Sequence, residues 1–206
     1  MTHAVRQAVH GGDDAVWVGD VGDLLAVVLA DGAGGISGGR VAADLVISRI
    51  RELTERGDLP RTPQGLETVL AGLDGEILAH PRAGETTAVL VVVEAGVLVG
   101  ASVGDSAAWL IEPDALAELT GGQHRKRLGS GRVRPVGFGP VALGGRRLVV
   151  ASDGLHGFVS PERIRAEACQ PDTGEAAGAL VESARSSNGA FHDDVTVIVA
   201  AAAPAR

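Results

Sequence analysis

Several aspartates stand where apolar runs begin or end. Asp31 directly follows the run 24–30, Asp153 comes two residues after the run 148–151, and Asp105 ends the run 97–104. Asp193 and Asp194 immediately precede the run 195–201, while Asp13 and Asp14 stand just before 16–18. Asp31 and Asp153 sit in Asp–Gly steps, where glycine lets the backbone approach a ligand closely. If these ends meet at one rim, several carboxylates converge there, and clustered anions repel one another unless cations neutralise them. Oxygen-only ligands suit hard ions such as Mg²⁺ or Mn²⁺. Two such ions sharing a bridging carboxylate would hold a water between them, lower its pKa and aim it at phosphorus. Asp and Gly also end strands simply because they make turns. On residue type alone both readings stand.

Those ends need elements to carry them. Apolar runs at 16–18 and 24–30, separated by Gly19–Asp23, read as two strands and a turn. From Gly38 to Arg56 a helical face carries Val41, Leu45, Val46, Ile50 and Leu53, with Gly57 as its stop. Thr62 and Pro63 supply a cap and first turn for a second helix with Leu66, Val69, Leu70, Leu73 and Ile77. Strands follow at 88–93 and 97–101 around the turn Glu94–Ala95–Gly96, with a third at 107–112 continuing the pattern. Residues 121–147, rich in Gly, Arg and Lys, read mainly as loop. A buried strand at 148–151, a short helix opened by Ser160–Pro161, a helix at 175–187 and a strand at 195–201 complete the chain. Strands joined by short turns pair antiparallel, and the helices come in pairs between strand groups. The expectation is a layered α+β sandwich formed by one domain over residues 1–206, with no linker or repeat.

Composition narrows the function. The 206 residues are 45% apolar and 21% charged, enough to bury a core and to exclude a wholly disordered chain. Aromatics are only 2%, which offers few stacking platforms for single-stranded nucleic acid. A net charge of −8 argues against a phosphate-backbone footprint. The lone Cys169 forms no internal disulfide or multi-Cys zinc site and reads as a structural thiol. No apolar run reaches the length of a membrane span, roughly 18 residues. The first residues also lack an apolar signal core. A cytoplasmic monomer that binds neither nucleic acid nor membrane is expected.

Five ordered stretches then carry a family resemblance. Asp31–Gly32–Ala33–Gly34–Gly35–Ile36–Ser37–Gly38–Gly39–Arg40–Val41–Ala42 resembles the "DGMGGHxxGexA" stretch of metal-dependent type 2C protein phosphatases. Gly84–Glu85–Thr86–Thr87–Ala88 is similar to "GTTA", and Val103–Gly104–Asp105–Ser106–Ala107 to "VGDSR". Ala151–Ser152–Asp153–Gly154–Leu155 resembles "SDGL", and Asp193–Asp194–Val195–Thr196–Val197 resembles "DNxTV". Gly12–Asp13–Asp14–Ala15 sits where the family has "NEDa".

The resemblance implies a four-layer αββα sandwich, two antiparallel sheets flanked by helices. It implies hydrolysis of protein phosphoserine or phosphothreonine by a water bridging two Mg²⁺ or Mn²⁺ ions. Asp31 would bridge both ions and the Gly32 carbonyl would ligate one. Asp153 and Asp193 would complete one shell, making Asp31, Asp153 and Asp193 the catalytic set. Asp13 and Asp14 would serve the other ion, and Asp105 matches the residue associated with a third, weaker metal. Two divalent ions would bring the formal charge of −8 to about −4.

The chain departs from the family pattern at four places. Val9 stands where the family has a phosphate-binding Arg, leaving Arg6 on the preceding strand as the candidate phosphate ligand. Asp13 replaces a Glu and is one methylene shorter. Ala33 and Ile36 occupy the positions of a loop His proposed to protonate the leaving alcohol, so that acid would be water or another His such as His10 or His192. The flap is short, spanning only 120–141, and basic, with Arg125, Lys126, Arg127, Arg132 and Arg134.

Two other motifs point elsewhere. Gly32–Ala33–Gly34 imitates a dinucleotide turn, but Ser37 breaks the third-glycine spacing. Gly100–Ala101–Ser102–Val103–Gly104 fits a nucleophile elbow, yet it leads into an apolar strand instead of a helix. Two further readings compete with a phosphoprotein phosphatase. One is a phosphatase of a small phosphate monoester; the other is a catalytically weak domain that binds a phosphoprotein or regulator.

Overall fold

The computed structural model describes residues 1–33, 38–121 and 126–202. Residues 34–37 of the Asp–Gly stretch, Ile36 among them, and residues 122–125 of the basic segment lie outside the described residues. In chain order the elements are β1 (Thr2–Ala8), β2 (Asp14–Val21), β3 (Leu24–Asp31), α1 (Gly39–Arg56), α2 (Pro63–Ala79), β4 (Ala88–Glu94) and β5 (Val97–Val103). They continue as β6 (Ala107–Ile111), β7 (Leu116–Glu118), β8 (Val136–Ala142), β9 (Arg147–Ala151), α3 (Asp153–His156), α4 (Pro161–Ala168), α5 (Thr173–Ser183) and β10 (Val195–Ala201). Two compact units result, one from Asp13–Ser106 with Thr120–Ala142, the other from Met1–Gly12, Ala107–Leu119 and Leu143–Arg206.

The first, the β3 unit, holds an antiparallel sheet in the order β2-β3-β4-β5-β8. Two-residue turns close its hairpins, because Val21 pairs with Leu24 and Glu94 with Val97. Both Ala95 (φ 49°) and Gly96 (φ 76°) are left-handed, the geometry that matches strand twist. Helix α2 begins as the sequence predicts: Pro63 occupies its first turn and Thr62 Oγ1 accepts the Gly65 N–H at 3.2 Å. Leu66, Leu70, Leu73 and Ile77 recur every three or four residues and are buried. Helix α1 is rotated from expectation. Its buried face is Gly39, Ala42, Ala43, Val46 and Ile50, with Leu45 and Leu53 only partly covered. Small side chains allow the helix to lie close to the sheet, so bulk was a poor guide to its inner face.

The expectation of loop across 121–147 is corrected by β8, which pairs with β5 on the sheet edge. Gly137, Gly139 and Pro140 hide the strand pattern, and an edge position tolerates a residue without an N–H. Phe138 lies over Gly100, where an added Cβ would meet its ring at 2.2 Å.

The second, the β10 unit, holds the antiparallel sheet β1-β10-β9-β6-β7. Trp109, Val149, Ala151, Val197 and Val199 pack with Leu155, Ile164, Ala176, Ala177 and Leu180 of α3, α4 and α5. Strand β6 does not continue the β4–β5 meander as the short connection suggested; it pairs with β9 and β7 in this sheet. Helix α5 starts at Thr173, two residues earlier than expected, because Asp172 Oδ1 caps the N–H groups of Gly174 and Glu175. The α+β class and antiparallel pairing agree with the sequence reading. No helix among the described residues is long and apolar enough to cross a membrane.

Candidate active site

In the β3 unit, Asp14 and Asp31 are register partners on neighbouring antiparallel strands. Directly opposed side chains share a face with Cβ atoms roughly 5 Å apart, and like charges there destabilise the pair. Asp14 is nevertheless only 7% exposed. A buried carboxylate facing a second one, with oxygen as the only donor type, fits a hard divalent cation. Next to them, the Gly32 N–H donates to the Asp13 carbonyl at 3.3 Å. A Cβ on Gly32 would meet the Gly39 carbonyl carbon at 2.5 Å and Asp13 O at 2.8 Å, so only glycine fits there. Arg40, at the start of α1, donates from Nη1 to the Asp14 carbonyl at 3.4 Å and from Nε to Asp44 at 2.9 Å.

The end of β3 is held by hydroxyls. The Asp31 N–H donates to Thr87 Oγ1 at 3.1 Å, and the Asp31 carbonyl accepts the Thr87 N–H at 2.8 Å and the Thr86 hydroxyl at 2.9 Å. Thr87 Oγ1 lies 2.7 Å from Ser106 Oγ. Asp105, beside Ser106, pairs with Arg127 at 3.5 Å, both side chains being part-exposed. The main chain of Leu128 bridges to Thr86 through two hydrogen bonds. On the same segment, the buried Asp74 accepts the N–H groups of Gly129 and Gly131 at 2.7 and 3.0 Å.

In the β10 unit, Asp153 is the first residue of α3, and the exposed Asp193 precedes β10 by two residues. They flank a close backbone contact: a Cβ on Gly154 would meet the Asp194 carbonyl at 2.0 Å. Ser152 Oγ donates to that carbonyl at 3.2 Å and accepts the Thr196 N–H at 3.0 Å. The carboxylate of Asp194 accepts three consecutive backbone N–H groups, from His10, from Gly11 at 2.8 Å and from Gly12 at 2.6 Å. Arg6 donates to the carbonyl of Val5 at 2.9 Å, and its guanidinium lies near Gly174 in the first turn of α5. Val9 is 72% exposed. His192 stacks on the exposed Phe158 with centroids 5.0 Å apart.

Of the expected ligands, the fold therefore juxtaposes Asp13, Asp14, Asp31 and Gly32, and separately Asp153 and Asp193. Among the described residues, no group of three or more His, Cys, Asp and Glu side chains is placed to hold a metal ion. Ser102 is fully buried within β5 and lacks the strand-to-helix turn of a nucleophile elbow. The sequence reading missed the supporting roles of Thr86, Thr87, Ser106, Ser152 and Asp194. Their signal was present, since all five lie inside the quoted motifs, but only the acids with ligand roles drew notice.

No curated protein matches the chain. Solved structures do. The catalytic domain of the serine/threonine protein phosphatase PstP, in complex with two manganese ions, is 26% identical, with 97% of each chain covered and a TM-score of 0.80. The Mycobacterium tuberculosis serine/threonine phosphatase PstP/Ppp is 25% identical over 97% of each chain, TM-score 0.79. Stp1 from Staphylococcus aureus, 21% identical, covers 98% of this chain and 94% of its own at a TM-score of 0.77, a likeness of fold. The family description "Protein phosphatase 2C" matches residues 2–127, more than half of the sequence. The chain belongs to the protein phosphatase 2C family.

Proposed function

We propose that this serine/threonine protein phosphatase hydrolyses phosphoserine and phosphothreonine with divalent ions held by its aspartates. Asp31 would hold both divalent ions, the Gly32 carbonyl would serve one of them, and Asp13 and Asp14 would serve one ion directly or through water. Asp153 and Asp193 would serve the other ion, and Asp105 a third, weaker one. Mn²⁺ or Mg²⁺, when bound, would lower the pKa of a water and neutralise the substrate phosphate. In that hydrolysis a water oxygen would bond to phosphorus as the ester P–O bond breaks, the attacking water releasing a proton to solvent and the leaving alkoxide taking one from water or a nearby His. Arg6 is the candidate phosphate ligand. The protein acts as one domain, a monomer in the cytoplasm, on a phosphoprotein and not on nucleic acid or membrane.

One observation carries this reading: the buried Asp14 directly opposes Asp31 on the neighbouring strand, two oxygen donors side by side that suit a hard divalent cation. Exposed valine at position 9 in place of a phosphate-binding arginine supports the small phosphate monoester as a second reading. The test is p-nitrophenyl phosphate hydrolysis with Mn²⁺. EDTA should abolish it, and Asp31→Asn or Asp153→Asn should lower it by more than the ~100-fold that loss of an outer-shell partner can cost. An inactive wild type across about pH 6–9 would instead favour a phosphoprotein-binding domain. A panel of phosphopeptides and phosphorylated metabolites separates the two enzyme readings.

A further inference from the structure

Two buried hydroxyls join the strand end that bears Asp31 to the turn that bears Asp105. Thr87 and Ser106 are 0% and 1% exposed, and their oxygens lie 2.7 Å apart, so either can donate to the other. Thr87 also grips Asp31 at both backbone polar groups, accepting its N–H at 3.1 Å and donating to its carbonyl at 2.8 Å. The Thr86 hydroxyl donates to that same carbonyl at 2.9 Å. With its peptide groups fixed, Asp31 retains only its two side-chain torsions for aiming the carboxylate. The Asp105 turn is seated on the same residue. Gly104 has φ +97°, and a Cβ there would meet Thr87 Cγ2 at 2.7 Å and Cβ at 2.8 Å. Thr87 is thus the common support of two acid-bearing segments that the sequence separates.

We infer that Thr87 and Ser106 are positioning residues, which fix the Asp31 carboxylate for a divalent ion and mechanically couple it to the Asp105 turn. The inference rests on the proposed function, in that the group being positioned ligates metal. A purely structural role would lower melting temperature and leave the Mn²⁺ affinity of the folded protein alone. A positioning role would change that affinity, because ligands held by outer partners lose about 10–100-fold when those partners go.

The test is calorimetric Mn²⁺ titration of the full chain and its variants, with folding checked by circular dichroism. Thr87→Val keeps the shape and removes the hydroxyl; it should weaken Mn²⁺ binding by about tenfold or more, and Thr87→Ser should restore most of the loss. Ser106→Ala should weaken binding less, and its effect should shrink in the Thr87→Val background, where its partner is already gone. Folded Thr87→Val with wild-type Mn²⁺ affinity overturns the inference. If Thr87→Val does not fold, Ser106→Ala decides: unchanged affinity overturns the coupling and weakened affinity supports it. A wild type that takes up no Mn²⁺ overturns the proposed function and this inference together, whereas normal uptake with an indifferent Thr87→Val overturns this inference alone.

Discussion

At the end of β3, neutral hydroxyls hold the backbone of Asp31, whereas ahead of β10 a carboxylate does the holding. Thr86 and Thr87 reach Asp31 from the adjoining strand end, and each hydroxyl serves two partners. Asp194 reaches the residues before β2 and gathers three successive N–H groups on one charged side chain. A carboxylate acceptor forms the stronger bonds, and its removal orphans every donor at once. Hydroxyls spread the same task over several weaker bonds, so loss of one leaves others standing. The β10 unit should therefore be the more fragile at its acid-bearing end.

The sharpest way to break that comparison is Asp194→Ala. Three backbone donors lose their acceptor, and the expected loss is about 3 kcal/mol of unfolding free energy in a denaturant titration. Asp194→Asn keeps one accepting oxygen and should fall between alanine and wild type. A loss below about 1 kcal/mol for Asp194→Ala would mean that water replaces the carboxylate cheaply and that the two ends do not differ.

A smaller effect tests whether the chemistry or the location matters. Ser152 lies in the β10 unit yet works as the hydroxyls of the β3 unit do, accepting the Thr196 N–H at 3.0 Å and donating to the Asp194 carbonyl at 3.2 Å. It is fully buried. Changing it to alanine should cost about 1.5 kcal/mol, well below the loss for Asp194→Ala. Equal losses would assign the fragility to the location alone.

These contrasts also mark how far the sequence could be read. The hairpin at Ala95–Gly96, the Thr62 cap and the α2 core face were legible because their determinants are local. The acids at strand ends were legible as a pattern, since hydrophobic runs locate the ends. The β5–β6 connection was not, because a short link does not say which sheet the next strand joins. Strand β8 was hidden by glycines that close neighbours require: a Cβ on Gly137 would meet Glu67 Oε1 at 2.7 Å and Pro63 Cβ at 2.8 Å, and one on Gly139 would meet the Leu98 carbonyl oxygen at 2.5 Å. The role of Asp194 was invisible for a different reason. Its partners His10, Gly11 and Gly12 lie at the opposite end of the chain, and backbone donors carry no residue signature.

A solvent-exposed charged contact completes the comparison by removing burial from it. Glu182 and Arg185, at the end of α5, form two hydrogen bonds of 2.7 and 2.8 Å in solvent. The Arg185 hydrogen bond holds the Glu182 carboxyl below its ordinary value of 4.5, against a small opposing effect of desolvation. A carboxyl whose folded pKa is lowered adds stability above its unfolded pKa and loses it as pH falls through the folded value. Glu182→Gln should therefore lower the melting temperature least of the three substitutions at neutral pH, and salt should shrink the difference. Wild type and variant should converge once the pH lies below the lowered carboxyl value. Arg185 keeps its place without Glu182, because it donates to the Gly189 carbonyl at 2.8 Å and lies 4.4 Å over the Phe191 ring. A difference that persists in acid would trace to helix packing instead of charge. Convergence would leave burial, and not charge by itself, as what makes the Asp194 carboxylate indispensable.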